Sequence, residues 1–453
     1  MQREITLDSN TSLFHLTWPI FIEILLQILV GNIDQIMLSH YSDTAVAAVG
    51  NANQIINMLI LVFSVISTAT TILVSQYLGA GNREKVAQLY TLAFLVNLAL
   101  SLAVAGGILL FNRPIFRLMS TPQELMGDAV TYLGINGGLI SLQAVFLTFT
   151  AIFRSNELMK ESMAVSVVIN LCNILGNLLL IHGAGPFPAL GVAGAAIASC
   201  LSRLIGIGIM AVLFSREIGV RLSLRLLRPF PGDLLRKLLM IGLPSGGEHL
   251  SYNLAQTCCL TFLNIMGTAV VTTKVYAMMF TRVAAMFTSS LAQASQIVVG
   301  HMAGAGKMEE CDRRTMRTLR VAVPITLPIV ILMFLCSDFL FGLFTDNPEI
   351  LRMGRIVLGF QIVNEMGHTI NSIFVKALQA AGDVQFPVAA GVVSQWVISV
   401  GGGWLFGLCL GMGIAGIWLA MTIDECLRAL VMFLRWRSGI WRTKVQVSEE
   451  ERL

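Results

Sequence analysis

The chain has 453 residues, of which 55% are hydrophobic and only 12% charged, with a formal net charge of +4. A mean hydropathy of +0.77 lies far outside soluble norms and marks a polytopic membrane protein. The small basic excess is topological, so no nucleic-acid partner is expected.

Runs of eighteen or more mostly apolar residues recur along the chain, each long enough to cross a hydrocarbon core of ~30 Å as a helix. Twelve are predicted. The first six cover 13–38, 45–73, 87–111, 129–153, 162–182 and 191–214. The second six cover 236–264, 270–299, 317–341, 352–376, 386–409 and 413–434. Backbone groups in lipid must be satisfied within the protein, so the fold class is an all-α polytopic bundle, not a barrel. The expected organisation is an N-terminal six-helix lobe (1–215), a basic linker (216–235), a C-terminal six-helix lobe (236–436) and a tail (437–453).

Basic residues gather in alternate loops. Arg83 and Lys85 fall in one, Arg154 and Lys160 in the next, Arg216, Arg221, Arg225, Arg228, Arg236 and Lys237 in the linker, and Lys307, Arg313, Arg314, Arg317 and Arg320 in a fourth. These loops face the cytoplasm by the positive-inside rule, with both termini on that side. No cleavable signal peptide is apparent, because the first apolar run is too long and lacks a small-residue cleavage site. The eight cysteines lie mostly inside helices without a C-x-x-C pair, and read as small hydrophobes rather than disulfide or zinc ligands.

The chain repeats itself. A shift of 225 residues brings Pro19 onto Pro244, Glu23 onto Glu248 and Leu38 onto Leu263, and lays "VSQYLGAGNRE" (74–84) over "VGHMAGAGKME" (299–309). After a three-residue slip, "GVAGAAIA" (191–198) lies over "GIAGIWLA" (413–420). Six crossings per copy make this a parallel duplication, a pattern used by transporters that alternate access by rocking one lobe against the other. The Gly-Ala-Gly turns read as helix C-caps. "GHMAGAGKME" is not a phosphate loop, because the glycine spacing is wrong and Met308 stands where Ser or Thr is required. No hydrolase or kinase motif is present, so no enzyme activity is expected.

Ionisable and amide residues inside the membrane are costly and default to functional hypotheses. Asp34 leads them, in a polar cluster with Gly31, Asn32 and Gln35 near the end of the first span. Its plain alternative is a carboxylate that merely reaches interfacial water. Asn170, Asn173 and Asn177 form one stripe on the fifth span, which either lines a cavity or glues helices by hydrogen bonds. Amide oxygens and a carboxylate suit a small cation, so Asp34 is also a candidate Na⁺ ligand, and such an acid can equally bind a proton.

The stretch "WPIFIEILLQILVGNIDQIMLSHYSDTAVAAVG", then "SQYLGAGN", then "NILGNLLLIHGAGPFPALGVAGAAIASCLSR", with their counterparts in the second half, resembles the multidrug and toxic compound extrusion (MATE) family over essentially the whole chain. The resemblance implies an antiporter that exports bulky, often cationic, lipophilic compounds in exchange for H⁺ or Na⁺. It makes Asp34 the central ion-coupling acid and Asn173 an associated amide. Some members have Asp where this chain has Asn177, and some carry a tenth-helix acid where this chain has His368.

Glu365, one turn from His368, either takes over part of that role or pairs with Arg282. Glu23 and Glu248 either line the cleft or satisfy backbone groups freed by Pro19 and Pro244. Arg203 and the Asp424, Glu425 pair sit at matching places in the last helix of each lobe and read as packing salt bridges. Met278, Met279, Phe280, Met286 and Phe287 are candidate cavity walls, with ordinary packing as the alternative. The expected partners are lipophilic or cationic small molecules and membrane lipids, the chain acting as a monomer without a cofactor beyond H⁺ or Na⁺. The expected place is the bacterial inner (cell) membrane. Two rivals stand: a lipid-linked saccharide flippase, which would want a basic cavity built on residues such as Lys274 and Arg282, and a channel, which would need no coupling acid.

Overall fold

The computed structural model describes residues 13–183, 188–220 and 222–452. Arg221 of the basic linker and positions 184–187 of the quoted fifth-to-sixth-span stretch lie outside them. The described chain is helical throughout. In order come α1 (Leu13–Ser39), α2 (Asp43–Gly79), α3 (Arg83–Leu118), α4 (Gln123–Gly138), α5 (Ile140–Ser155), α6 (Met159–Leu180) and α7 (Gly191–Leu213). These are followed by α8 (Gly232–Met266), α9 (Thr268–Gly304), α10 (Met308–Leu335), the short α11 (Ser337–Gly342), α12 (Pro348–Ala380), α13 (Gln385–Ser394) and α14 (Gly413–Arg437).

Eight of the described helices are long and apolar enough to cross a membrane outright, and nine spans result when α4 and α5, bent by 46°, count as one. The remaining three, α8, α12 and α14, are 35, 33 and 25 residues long and complete the twelve. They are less apolar because they carry ionisable residues within their length, among them Glu248, Glu365, His368, Asp424, Glu425 and Arg428. The predicted 129–153 span is thus broken at Leu139. Gly137 and Gly138 precede the break, and a Cβ on either would press on Ile108 or Leu109 of α3. The predicted 386–409 span starts as α13 and continues as π-helix over Gln395–Val400 and Gly403–Cys409, around the Gly401-Gly402-Gly403 run that weakens regular α-helix.

The chain divides into two compact units, apart from short helix ends: residues 18–78 with 82–242, and residues 243–452. The division falls inside α8 rather than at the expected edge of the linker. Lys237 explains this, since its Nζ donates to Tyr77 Oη of α2 at 2.9 Å, tying the start of α8 to the first unit. The expected tail also has structure of its own. Trp441 stacks on Trp436 at 4.1 Å between ring centroids and donates to the Trp436 carbonyl at 2.9 Å, while Trp436 Nε1 donates to Asp312 at 2.7 Å.

Within the first unit α7 packs against α4, α5 and α6; within the second, α12 packs against α9, α10 and α14. Helix α6 shows how the sequence is oriented. Asn170, Asn173 and Asn177 are buried, while Leu171, Leu175 and Leu178 are 56%, 59% and 52% exposed. A soluble helix would reverse this; a bilayer accepts the leucines, and the amides find partners only inside the protein.

Both Gly-Ala-Gly turns cap their helices alike. Gly81 (φ 77°) and Gly306 (φ 76°) take the left-handed conformation, and the next amide reaches back to Tyr77 O at 3.0 Å or Met302 O at 2.9 Å. The slipped repeat is equally physical. Gly194 and Gly416, which it superposes, lie where a Cβ would come within 2.3 Å of Leu180 O and 2.6 Å of Phe406 O. Gly194→Ala and Gly416→Ala are each expected to destabilise by about 1–3 kcal/mol through forced separation of the packed segments. Gly208→Ala, where nothing lies within 4 Å, is expected to leave stability unchanged or raise it by about 0.5–1 kcal/mol. Melting temperatures of the detergent-solubilised protein check the contrast.

Candidate functional site

Asp34 lies five residues before the end of α1 and is 3% exposed. Of the polar cluster expected around it in sequence, Asn32 is exposed and Gly31 and Gln35 are half-buried, so the acid turns inward alone. It meets α6 and α7. Asn177 Nδ2 donates to Asp34 Oδ1 at 2.5 Å and lies 3.4 Å from Asn173 Oδ1. Asn173 Nδ2 donates to Ser199 Oγ at 3.0 Å, which brings the Ser199 hydroxyl to the Asp34 side of the cluster. The four side chains form one connected series, Asp34, Asn177, Asn173 and Ser199. Asn177 Oδ1 is the atom of the series left buried without a partner.

Asn170 does not join them. Its amide donates to Ser166 O of its own helix at 2.7 Å, because one turn along α6 carries it away from Asp34. Two α4 residues extend the site instead. Arg203 Nη1 donates to Asn136 Oδ1 at 3.3 Å, and buried Tyr132 stands one turn before Asn136 on α4, within electrostatic reach of both Asp34 and Arg203. Sequence reasoning missed Tyr132, Asn136 and Ser199. A signal was there: Asp128, Tyr132 and Asn136 recur every four residues on α4, and Ser199 stands four before Arg203 on α7.

The other predicted residues fall elsewhere. Glu23 is fully buried in the first unit, where Arg154 Nη2 reaches its Oε2 at 3.0 Å and Ser162 Oγ donates to the same oxygen at 3.4 Å. It is an ion-paired core residue, not an open cavity wall. Its repeat counterpart Glu248 is half-buried in the second unit, within electrostatic reach of Lys376 and Arg428.

Glu365 is 3% exposed and accepts from Thr288 Oγ1 at 3.5 Å and Gln361 Nε2 at 3.4 Å. The expected partner Arg282 is exposed and takes no part, because it projects from a different face of α9 than Thr288. His368 Nδ1 lies 3.7 Å from Glu425 Oε1, the oxygen to which Arg428 donates, while Asn371 donates to Glu425 Oε2. Arg428 pairs with Asp424 at 3.1 Å, and Ser394 donates to Asp424. Gly367 permits this assembly, since a Cβ there would come within about 3 Å of the α14 backbone at Glu425 and Cys426. The candidate wall does not form one surface. Met278 and Met279 are exposed, Met286 is buried, and Phe280 packs on Phe341 at 5.4 Å, as helical periodicity requires.

The MatE family profile matches this chain twice, over residues 19–179 and 244–405, both beginning at a repeat-related proline. The chain belongs to the MatE family. It is 40% identical to an uncharacterized transporter, YisQ, of Bacillus subtilis over 96% of each chain. It is 26% identical to a Probable multidrug resistance protein NorM of Thermotoga maritima, over 99% of this chain and 97% of that one. A crystal structure described as MATE in the bent conformation matches with a TM-score of 0.89 and 21% identity, covering 97% of each chain. The MatE fold therefore extends through both units, and each profile match covers the first part of one copy of the internal repeat, ending before its last helix.

The ion pair under α1 is open to test. Glu23→Gln leaves the half-buried Arg154 guanidinium short of its carboxylate and is expected to cost about 1–3 kcal/mol. Combining it with Arg154→Met is expected to recover part of that loss, as read by thermal unfolding in detergent.

Proposed function

We propose that this protein exports lipophilic, often cationic small molecules across a bacterial cell membrane in exchange for H⁺ or Na⁺, by alternating access. The observation that carries the proposal is Asp34. It is a carboxylate nearly sealed from solvent and held by Asn177, with no carboxylate–cation contact as close as those of Glu23 or Asp424 among the described ion pairs. An intramembrane acid without a tight structural partner fits a group that loads and unloads a cation. The multidrug resistance name of the Thermotoga maritima relative supports a small-molecule cargo.

Ion binding at Asp34 drives release only if it favours one state of the transporter over the other. The driving gradient supplies ~2.3 kcal/mol per charge per 100 mV. In this reading Asn173 and Asn177 orient the acid, while Asn170 is structural. Glu248, Glu365, His368, Met278 and Met286 remain candidate cargo contacts, and both termini lie in the cytoplasm. The chain acts as a monomer among lipids, with the leucine stripe of α6 facing acyl chains.

The test is efflux of a fluorescent lipophilic cation from proteoliposomes under an imposed pH gradient and, separately, an imposed Na⁺ gradient. Asp34→Asn keeps the shape of the side chain and is expected to lower gradient-driven export at least about tenfold, equivalent to ~1.4 kcal/mol of lost coupling, with unchanged thermal stability. Full driven export by this variant would overturn the coupling role. Response to neither gradient in the parent protein would move the assignment to a lipid-linked saccharide flippase.

A further inference from the structure

The loop between α7 and α8 leaves one membrane-crossing helix and enters the next. Helix α7 continues as π-helix over Phe214–Ile218. Gly219, at φ 67°, ends it with its amide bonded to Phe214 O at 3.1 Å and turns the chain aside. Residues 219–231 then run to the start of α8 at Gly232. Midway, Ser223 Oγ accepts from the Arg225 amide at 3.3 Å and opens the 3₁₀ turn Leu224–Leu227. That turn packs against α3 and Leu227 is buried, so the loop is held to the first unit instead of projecting into water.

Three large apolar side chains of this loop stay outside, Leu222, Leu224 and Phe230. Interleaved with them or flanking them are Arg216, Arg225, Arg228 and Arg236, all exposed. None of the four guanidinium groups enters an ion pair among the described residues. The acids of the segment are Glu217 and Asp233 alone, against six basic residues from Arg216 to Lys237. The stretch that follows the last helix of the second copy, after α14, covers its apolar side chains within the protein: Trp441 and Val447 are buried, and Trp441 stacks on Trp436. The loop after α7 leaves its own uncovered.

Leucine and phenylalanine interleaved with unclaimed arginines suit neither open water nor a hydrocarbon core. They suit the boundary between the two, where apolar side chains dip among acyl chains and guanidinium groups reach phosphate. We propose that the α7–α8 loop is a docking surface for anionic phospholipid, with Leu222, Leu224 and Phe230 entering the acyl boundary and the arginines meeting headgroup phosphates. Bilayer lipid is the occupant because the loop begins and ends at membrane-crossing helices, and because its positive charge complements an anionic surface. The assignment is independent of the transported cargo, of the coupling ion and of which side of the membrane is cytoplasmic.

The experiment is hydrogen–deuterium exchange of the full chain in nanodiscs of phosphatidylcholine alone and of phosphatidylcholine with an equal part of phosphatidylglycerol. Amides of residues 219–231 are expected to exchange at least about fivefold more slowly in the anionic discs, the scale of a single arginine at a charged membrane surface. Amides of residues 440–447 are expected to exchange alike in both. Arg225→Gln combined with Arg228→Gln is expected to remove most of the lipid difference, and Leu224→Ser combined with Phe230→Ser to speed exchange of the loop in both lipids. Unchanged thermal unfolding in detergent shows that the variants keep the fold. Raised salt is expected to narrow the difference in the parent protein. Equal exchange of the parent loop in the two lipids would overturn the proposal. So would a lipid difference that survives loss of both arginines or high salt, or a loop whose exchange ignores the loss of Leu224 and Phe230.

Discussion

Inside a bilayer a polar group has no water to fall back on, and every amide, hydroxyl and charge must be answered by the protein itself. This constraint organises each unit. It makes the backbone helical, and it turns the Asn stripe of α6 inward while leucines at neighbouring positions face out. It also brings Glu23 to Arg154, Asp424 and Glu425 to Arg428, and Asp383 to Arg435. The hydrophobic effect, dominant in soluble cores, does little here to separate inside from outside, because lipid and leucine are equally apolar. Polar pairing and the close approach allowed by small residues do that sorting.

The two halves share backbone devices and differ in chemistry. Gly194 and Gly416 serve the same close approach, and Gly81 and Gly306 the same cap. Yet the shift that superposes Pro19 on Pro244 places buried Cys259 opposite Asp34. The slip that superposes the last helices sets Glu425 opposite Arg203. In the first unit the last helix brings a cation towards a lone acid; in the second it brings two acids to an arginine of its own, with His368 and Asn371 of α12 gathered around them. Duplication has preserved the sites of tight packing, where sterics leave few choices, and let the charges diverge.

Helical irregularity follows the same logic. The α4–α5 break and the π-helical stretches after α13 occur at glycine runs, where side-chain bulk does not enforce the regular ladder. Asn136, the partner of Arg203, lies just before that break.

Much of the architecture was legible in order along the chain. Twelve spans, their duplication, the capped glycine turns and Asp34 as the first residue to question all follow from local pattern, since hydrophobic length and left-handed glycine are local physics. The Asn stripe was legible too, and two of its three members reach the acid. Pairing across helices was not legible. Glu23 with Arg154, Glu425 with His368, and the series from Asp34 through Asn177 and Asn173 to Ser199 each join residues distant in sequence. One-dimensional spacing states which face of a helix a residue occupies, but not which helix that face will meet. The sequence by itself determined that this chain is a duplicated membrane bundle of the MatE type with a buried acid near the end of its first helix. Only the tertiary structure decided which charges neutralise one another and that Asn177 is the side chain that meets that acid, because packing between helices, not period along them, chooses the partner of a buried charge.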